Sequence, residues 1–304
     1  MSYKKYGVMS RAILYLIVVI TSTFLQGSSF VATKVLLNTM PPLWLAGLRF
    51  FIAAISLLPI LAYKFHSNNP TEHKLITNST TFYKIFLIGL FQTAGVMYLL
   101  NTGLKSTPPS TAAIIMASNP ILVTILAKFF LKESISVKAI FGLIISFIGV
   151  IICIGLTNSV SANSGILLII LASICWAIAT IINKKFHLSL NTWIVTFWQM
   201  LFGSIILIVV AYLEHEKFTL PISLSQWLVL IWLSIPASTI AMGLWFKALL
   251  MEGAGKTSGF LFLCPLFSAI LSYLVLDTYL SIQEFIGGTL IFLGIYMLSI
   301  QKKP

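Results

Sequence analysis

Long apolar stretches, separated by short polar connections, recur along the whole chain. Each is about 20 residues long, the length that an α-helix needs to cross the hydrocarbon core of a bilayer. Backbone groups in hydrocarbon must bond internally, so the pattern predicts helices, and the sequence lacks the short alternating segments of a membrane barrel. We therefore predict an all-α integral membrane protein with about ten transmembrane helices, near residues 11–33, 42–63, 83–103, 109–131, 138–156, 164–186, 191–212, 226–249, 255–276 and 282–300.

The composition fits a chain that lies almost wholly in the bilayer. Of its residues, 59% are hydrophobic and 9% are charged, whereas about a quarter of an average soluble domain is charged. The first apolar run follows Lys4, Lys5 and Arg11, as in a signal peptide, but it continues past Leu25 and no soluble domain follows it. We interpret this run as a retained first helix.

The net charge of +12 comes from 19 basic residues in short clusters between the apolar runs, not from one basic face. This distribution argues against a nucleic-acid partner. With a cytoplasmic N-terminus, fifteen of the 19 fall in inside loops, and only Lys34, Lys105 and Lys217 fall outside. Basic residues near helix ends favour the cytoplasm, so we predict that both termini are cytoplasmic and that the number of spans is even.

An internal repeat appears at a constant shift of 145 positions, which aligns Pro120 with Pro265, Gly142 with Gly287 and Gly149 with Gly294. A shift of 150 sets Arg49 on Gln199 more faintly. The predicted units are a first five-helix repeat over residues 1–157 and a second over 158–304. Because five is odd, the second copy would enter the membrane from the opposite side, as in many transporters.

Each predicted unit carries a proline inside its fourth helix, at Pro120 and Pro265. Proline removes a hydrogen bond to the carbonyl four residues earlier, here that of Met116 or Leu261. At membrane depth such a carbonyl faces protein or a water-filled cavity, so the paired prolines indicate a central site or, alternatively, packing kinks. The fifth and tenth helices carry small residues seven apart that favour close helix packing: Gly142, Gly149, Gly287 and Gly294.

Polar side chains inside the predicted spans are few, and each is costly in lipid. Arg49 costs most, because its guanidinium does not lose its proton; it anchors structure, reaches a membrane face or meets an anionic substrate group. The polar residues of the spans are Gln26, Arg49, Gln92, Asn101, Asn119, Asn183 and Gln199.

The sequence offers little for acid–base or metal chemistry. All seven acidic residues lie at span ends or in loops, and no zinc spacing or nucleophile triad occurs. Cys153, Cys175 and Cys264 lie in apolar runs without CxxC spacing, as small packing residues do. We expect no cofactor and no metal. Without a mid-membrane carboxylate, we also expect weak or indirect coupling to a proton gradient.

Two stretches resemble the EamA-type family of the drug/metabolite transporter superfamily: PPLWLAGLRF after the first span, and STAAIIMASNPILVTILAKFFLKESIS through the fourth. The arginine of the second helix, the helix-four proline and the pair Glu133 and Gly142 carry the resemblance. The second unit departs from it, with Thr278 at the position of Glu133 and Gln199 at that of Arg49.

The resemblance covers nearly the whole chain, and it implies alternating access to a central cavity, often for export of amino acids or related metabolites, in a bacterial inner membrane. It implies cavity walls from helices one, three, four, six, eight and nine. The substrate-binding residues carried over on this basis are Gln26, Gln92, Tyr98, Asn119, Trp176, Trp245 and Phe267. Arg49, the two prolines and the four glycines are expected to act in structure or gating.

Three functions remain open at this stage: a secondary transporter, a passive channel and a membrane-embedded enzyme. The missing acid, base and metal sets disfavour the enzyme. The expected partners are a small-molecule substrate and the lipid bilayer, and the chain would act as a monomer or a homodimer.

Overall fold

The computed structural model describes residues 3–65, 79–132, 137–154, 164–186 and 191–299, and the regular structure in these ranges is helical throughout. Glu133 and the predicted boundary between residues 157 and 158 lie outside them. Up to residue 154 the helices are α1 (Tyr3–Leu36), α2 (Pro42–Ser56), α3 (Leu58–Phe65), α4 (Ser79–Ile88), a π-helix (Gly89–Gly95), α5 (Val96–Leu104), α6 (Pro109–Ala117), α7 (Asn119–Phe130) and α8 (Val137–Ile154). From residue 164 they are α9 (Ser164–Phe186), α10 (Thr192–Leu213), α11 (Leu224–Ser234), a second π-helix (Ile235–Ile240), α12 (Ala241–Ser258), a 3₁₀-helix (Gly259–Phe262), α13 (Leu263–Leu276) and α14 (Ile282–Ser299).

Seven helical segments of the described residues are long and apolar enough to cross a membrane. They are Arg11–Leu36, Pro42–Tyr63, Ser79–Leu104, Pro109–Phe130, Ser164–Asn183, Thr192–Leu213 and Leu224–Glu252. Shorter apolar helices lie at Ile140–Ile152, Leu263–Leu276 and Ile282–Met297. The prediction of an all-helical membrane protein is confirmed. Large apolar side chains such as Phe147, Leu228 and Leu274 are exposed on the outside of the bundle, as expected where lipid is the solvent.

Two π-helices interrupt the third and seventh long apolar segments. The second one, Ile235–Ile240, lies 145 positions after residues 90–95 of the first, Gly89–Gly95. A π-helix adds a residue to a turn and is often found at functional sites. Two left-handed backbone positions show the same offset: Lys132, with φ 55°, follows α7, and Asp277, with φ 53°, follows α13.

Helices α8 and α14 form a close antiparallel pair. Ser146 Oγ donates a hydrogen bond to the Ile291 carbonyl at 3.3 Å. A Cβ atom added to Gly149 would lie 2.6 Å from the carbonyl oxygen of Gly287, and one added to Gly294 would meet the Gly142 carbonyl. The four glycines thus allow backbone-to-backbone contact between α8 and α14.

The remaining helices surround an open interior. Helix α2 packs along α10, α1 packs against α12 and α13, and α5 packs against α9. Leu43, Ala46 and Leu207 are fully buried at the α2–α10 contact, and Leu36 and Leu233 are fully buried between α1, α2 and α11. This arrangement places α1, α2, α5, α9, α10 and α12 around one central space.

Candidate functional site

A cavity of about 400 Å³ lies at the centre of the bundle. Its walls come from α1, α2, α5, α6, α9, α10, α12, both π-helices and the 3₁₀-helix. This volume falls in the range of small-molecule sites, which combine apolar walls with a few polar groups.

The cavity runs between two ends of the bundle. One end, called here the Lys34 end, is where Lys34 meets the last residues of α5. The other end, called the Asn191 end, is where Asn191 caps the start of α10. There the rings of Trp193 and Phe246 pack edge-on, with 6.1 Å between their centres. Thr33 and Leu104 line the cavity towards the Lys34 end and are 2% and 1% exposed. Asn183 lines the cavity at the Asn191 end and is exposed. Among the described residues, the cavity lining is therefore closed at the Lys34 end and open at the Asn191 end.

Side chains tie the helices together at the Lys34 end. Lys34 Nζ donates hydrogen bonds to the carbonyls of Leu104 and Lys105, at 2.5 and 2.9 Å. An ammonium group is favourable there, because the last carbonyls of a helix have no partner within it. Asn101 Nδ2 donates to the carbonyl of Pro42 at 3.1 Å and so joins α5 to the start of α2. Leu100 and Leu104, which line the cavity, belong to a buried apolar cluster.

Two glutamates after α10 complete this end. Glu216 Oε2 accepts hydrogen bonds from the backbone N–H groups of Leu43 and Trp44, at 3.2 and 3.3 Å, and so caps the start of α2. Glu214 Oε1 accepts one from Tyr98 Oη at 2.9 Å. Partial burial raises the pKa of Glu216, and the two backbone donors oppose that rise.

Arg49 is the charged group of the cavity wall. Its side chain is 6% exposed and lines the cavity. Its Nε donates a hydrogen bond to Ser238 Oγ at 3.0 Å, and the guanidinium carbon lies 5.0 Å from the centre of the Phe50 ring. Ser238 in turn donates to the Leu233 carbonyl at 2.7 Å, and this bond fixes the hydroxyl that accepts from Arg49. The contact fastens α2 to the π-helix Ile235–Ile240.

Three glutamines lie on different walls of the cavity. Gln26 Nε2 donates to Ser22 Oγ at 3.1 Å, and Ser22 donates to the carbonyl of Ala241 at 2.8 Å. Gln92, in the first π-helix, and Gln199, in α10, also line the cavity, and their side chains form no hydrogen bond within the described ranges. Their amide groups are available to a solute.

Four of the seven predicted substrate-binding residues line this cavity: Gln26, Gln92, Trp176 and Trp245. Trp176, on α9, and Trp245, on α12, are half-buried. They add aromatic surface to the cavity wall that also carries the glutamine side chains.

The structure places the other three elsewhere. Tyr98 points to Glu214 at the Lys34 end. Asn119 Nδ2 donates to the Ser173 carbonyl at 2.7 Å and joins α7 to α9. Phe267 packs edge-on against Phe24, with 5.4 Å between ring centres, at the α1–α13 contact. Each of the three has a protein partner outside the cavity lining.

The two prolines follow breaks in their helices. Helix α6 ends at Ala117, and α7 begins at Asn119 with Pro120 in its first turn. Pro265 lies in the first turn of α13, directly after the 3₁₀-helix Gly259–Phe262. Met116 and Leu261, whose carbonyls the prolines were predicted to release, both line the cavity.

Sequence reasoning missed several residues of the wall, among them Phe30, Thr93, Thr196 and Ser238. Serine and threonine are common in membrane helices and do not stand out singly. The 145-position shift does align Thr93 with Ser238, so the repeat held a signal for this pair.

The described part of the chain contains no group of three or more His, Cys, Asp or Glu side chains that could hold a metal ion. Cys175 and Cys264 are free, and the side chain of Cys153 lies outside the described residues.

Apolar helices with exposed apolar outer faces surround an interior cavity that carries a few polar side chains, which is the architecture of a multi-pass membrane protein. The profile of the EamA-like transporter family matches residues 13–155 and again 163–300. The chain belongs to this family.

Two similar proteins carry the names of transporters. The chain is 29% identical over 275 residues to the uncharacterized transporter YyaM of Bacillus subtilis, covering 88% of each chain. It is 27% identical over 283 residues to a probable amino-acid metabolite efflux pump of Escherichia coli, covering 89% of this chain and 90% of the pump. A solved structure matches 93% of this chain and 96% of its own with a TM-score of 0.66 at 17% identity, which shows a shared fold.

Proposed function

We propose that the protein is a secondary transporter that moves a small metabolite, an amino acid or a related compound, by alternating access. The observation that carries the proposal is a cavity of about 400 Å³ that is sealed at the Lys34 end and reached from the Asn191 end. A carrier needs a site that faces one side at a time. The similarity to a probable amino-acid metabolite efflux pump supports the compound class and the direction of export.

An inverted pair of five-helix repeats, residues 1–157 and 158–304, underlies this proposal. Contacts between α8 and α14 are reciprocal, since Gly149 meets Gly287 while their counterparts Gly294 and Gly142 meet each other. Such exchange is typical of a twofold relation, and the antiparallel course of the pair favours opposite orientations of the two copies. In this reading the three shorter apolar helices also span the bilayer, which gives ten spans.

The orientation follows from the loop charges, with both termini in the cytoplasm of a bacterial cell. The Lys34 end then faces outward, and the Asn191 end faces the cytoplasm. The described state would accept a solute from inside, as an exporter must before it releases the solute outside.

Reconstitution into proteoliposomes tests this function. Vesicles preloaded with unlabelled amino acids, N-acyl amino acids or amines should accumulate the matching labelled compound by counterflow, and uptake should saturate. Flux that rises linearly with concentration, without stimulation from the opposite side, would instead identify a channel. A covalently altered product would identify an enzyme. Vesicles containing heat-denatured protein supply the background.

A further inference from the structure

Within the described residues, no charge of the protein balances the charge of the cavity wall. Arg49 is the one ionised side chain among the described residues that line the cavity. The described lining contains no Asp or Glu, and the described residues place no carboxylate within ion-pair distance of its guanidinium. A buried charge is costly unless it is paired, so an unpaired guanidinium at 6% exposure calls for a partner.

The hydrogen bond that Arg49 forms leaves the terminal nitrogens of its guanidinium without an acceptor among the described residues. The guanidinium carries five N–H donors, and within the described chain only Nε has an acceptor, at Ser238 Oγ. The terminal nitrogens are not among the buried polar atoms that lack a partner, so they are accessible from the cavity. Ser238 accepts from Nε, and the Phe50 ring lies beside the guanidinium carbon. The two terminal nitrogens of the guanidinium therefore remain available to a ligand in the cavity.

The shape and charge of the Arg49 guanidinium indicate which class of anion it would bind. A planar guanidinium fork matches a carboxylate through two parallel hydrogen bonds. A monoanion would bring the charge of the described lining to zero. A phosphate monoester carries about two negative charges at neutral pH and would leave one unmatched. A zwitterionic amino acid would keep the site at one positive charge and would bury an ammonium with no carboxylate of the described lining beside it.

The rest of the wall suits an apolar body. Phe30, Met97, Trp176, Trp245 and Phe246 supply aromatic and thioether surface. Gln92 and Gln199, whose amides have no partner within the described ranges, can bind a carbonyl or a neutral N–H group.

We infer that the cavity binds a monoanionic carboxylate with an apolar or aromatic body and no free ammonium group, and that Arg49 is the residue that binds the carboxylate. The inference rests on the proposed transport function and names the substrate class of that same site. Amino-acid-derived acids with an acylated or missing amino group have this chemistry.

Binding to the purified full-length protein in detergent tests the inference without any need for transport. The probes are 3-phenylpropionate and its near-isosteric amide 3-phenylpropanamide, N-acetylphenylalanine, phenylalanine and phenyl phosphate, and the readout is quenching of tryptophan fluorescence. We expect the two monoanions to bind about tenfold more tightly than the amide, the zwitterion and the phosphate ester. Equal affinity for 3-phenylpropionate and its amide would overturn the inference.

Two variants of Arg49 and one control variant test whether Arg49 causes the preference for the carboxylate. Arg49→Gln should reduce the preference for 3-phenylpropionate over the amide from about tenfold to less than about twofold, and Arg49→Lys should retain part of it. The ratio within one protein sample stays informative even where the variant is less stable. Lys128→Gln removes an exposed cation outside the cavity lining and should keep the full preference. A preference that persists in Arg49→Gln would exclude Arg49 as the anion site.

The binding result and the transport result can fail separately. Carboxylate-selective binding without counterflow of the same compound would keep the inference and reject the transport function. Counterflow of amines or free amino acids, with no preference for the monoanions, would keep the transport function and reject the inference.

Discussion

Ser146 donates a hydrogen bond to the carbonyl of Ile291, the residue 145 positions further along the chain and its counterpart under the internal repeat. In the proposed inverted arrangement, such a contact between counterparts would lie on the axis that relates the two units. The glycines on either side bring the backbones of α8 and α14 together there.

Gly149→Ala should destabilise the protein. Its new Cβ would lie 2.6 Å from the Gly287 carbonyl oxygen and 2.8 Å from the Ile291 nitrogen, both backbone atoms that cannot move aside alone. Overpacking of this kind costs about 1–3 kcal/mol, measurable as a lower Tm in detergent. Gly288→Ala is the matched control, because its Cβ would find its nearest neighbour at 3.8 Å. Equal Tm values for the two variants would contradict the close contact.

Cysteine labelling should show which end of the cavity is open. With the three native cysteines replaced, Asn183→Cys should react rapidly with a polar maleimide, since Asn183 is exposed. Thr33→Cys, at a position 2% exposed, should react about tenfold more slowly, because labelling requires opening of the sealed end. Comparable rates at both positions would refute the sealed Lys34 end.

Tyr98→Phe separates a role in closure from a role in substrate binding. The variant loses the hydrogen bond to Glu214. This bond is exposed, and we expect it to stabilise the closed Lys34 end by about 0.5–1 kcal/mol. We expect the Thr33→Cys labelling rate to rise about two- to fivefold in the Tyr98→Phe background, with solute affinities unchanged. If affinity falls while labelling stays constant, Tyr98 belongs to the substrate site as the family resemblance implied.

The stability of the Lys34 end should depend on pH through Glu216. Burial raises the pKa of this carboxyl above that of the unfolded chain, so the folded state binds the proton more tightly. The stabilisation is complete below the unfolded pKa and is lost as pH rises through the folded pKa.

The Tm of the native protein should therefore fall relative to that of Glu216→Gln as the pH rises above about 4, the ordinary pKa of a glutamate. Glu214→Gln should flatten this trend, since the charge of Glu214 adds to the raised pKa of Glu216. A difference that is constant with pH, or that grows in the opposite sense, would show that Glu216 does not titrate as its surroundings indicate.

The apolar pattern predicted the helical membrane fold well, because repeated stretches of about 20 apolar residues are stable in the hydrocarbon core of a bilayer and would be poorly accommodated in water. The seven-residue spacing of the glycines indicated a close helix contact for a related reason, since residues seven apart share one helix face. The side chains that point away from the cavity were harder to predict. Asn119 bonds to Ser173, on another helix, and no sequence period encodes that partner.

The π-helices were also beyond prediction. Gln92 and Thr93 lie within the first one, where one added residue changes the face that later side chains present. Tyr98 follows this change and points to Glu214, whereas Val96, Met97 and Leu100 line the cavity. A uniform helical period cannot anticipate such a rotation.

Two neighbouring residues attach the π-helix Ile235–Ile240 to α2. Ser238 accepts a hydrogen bond from Arg49, and Thr239 bonds to the Ser56 hydroxyl at 2.7 Å and to the Ala53 carbonyl at 3.2 Å. One of these attachments uses the same guanidinium that faces the cavity. Cargo that draws Arg49 towards itself would release the Ser238 hydroxyl and loosen a turn that already departs from the regular helical register. Under the proposed transport function, binding of a carboxylate and the first movement of the bundle would then be a single event.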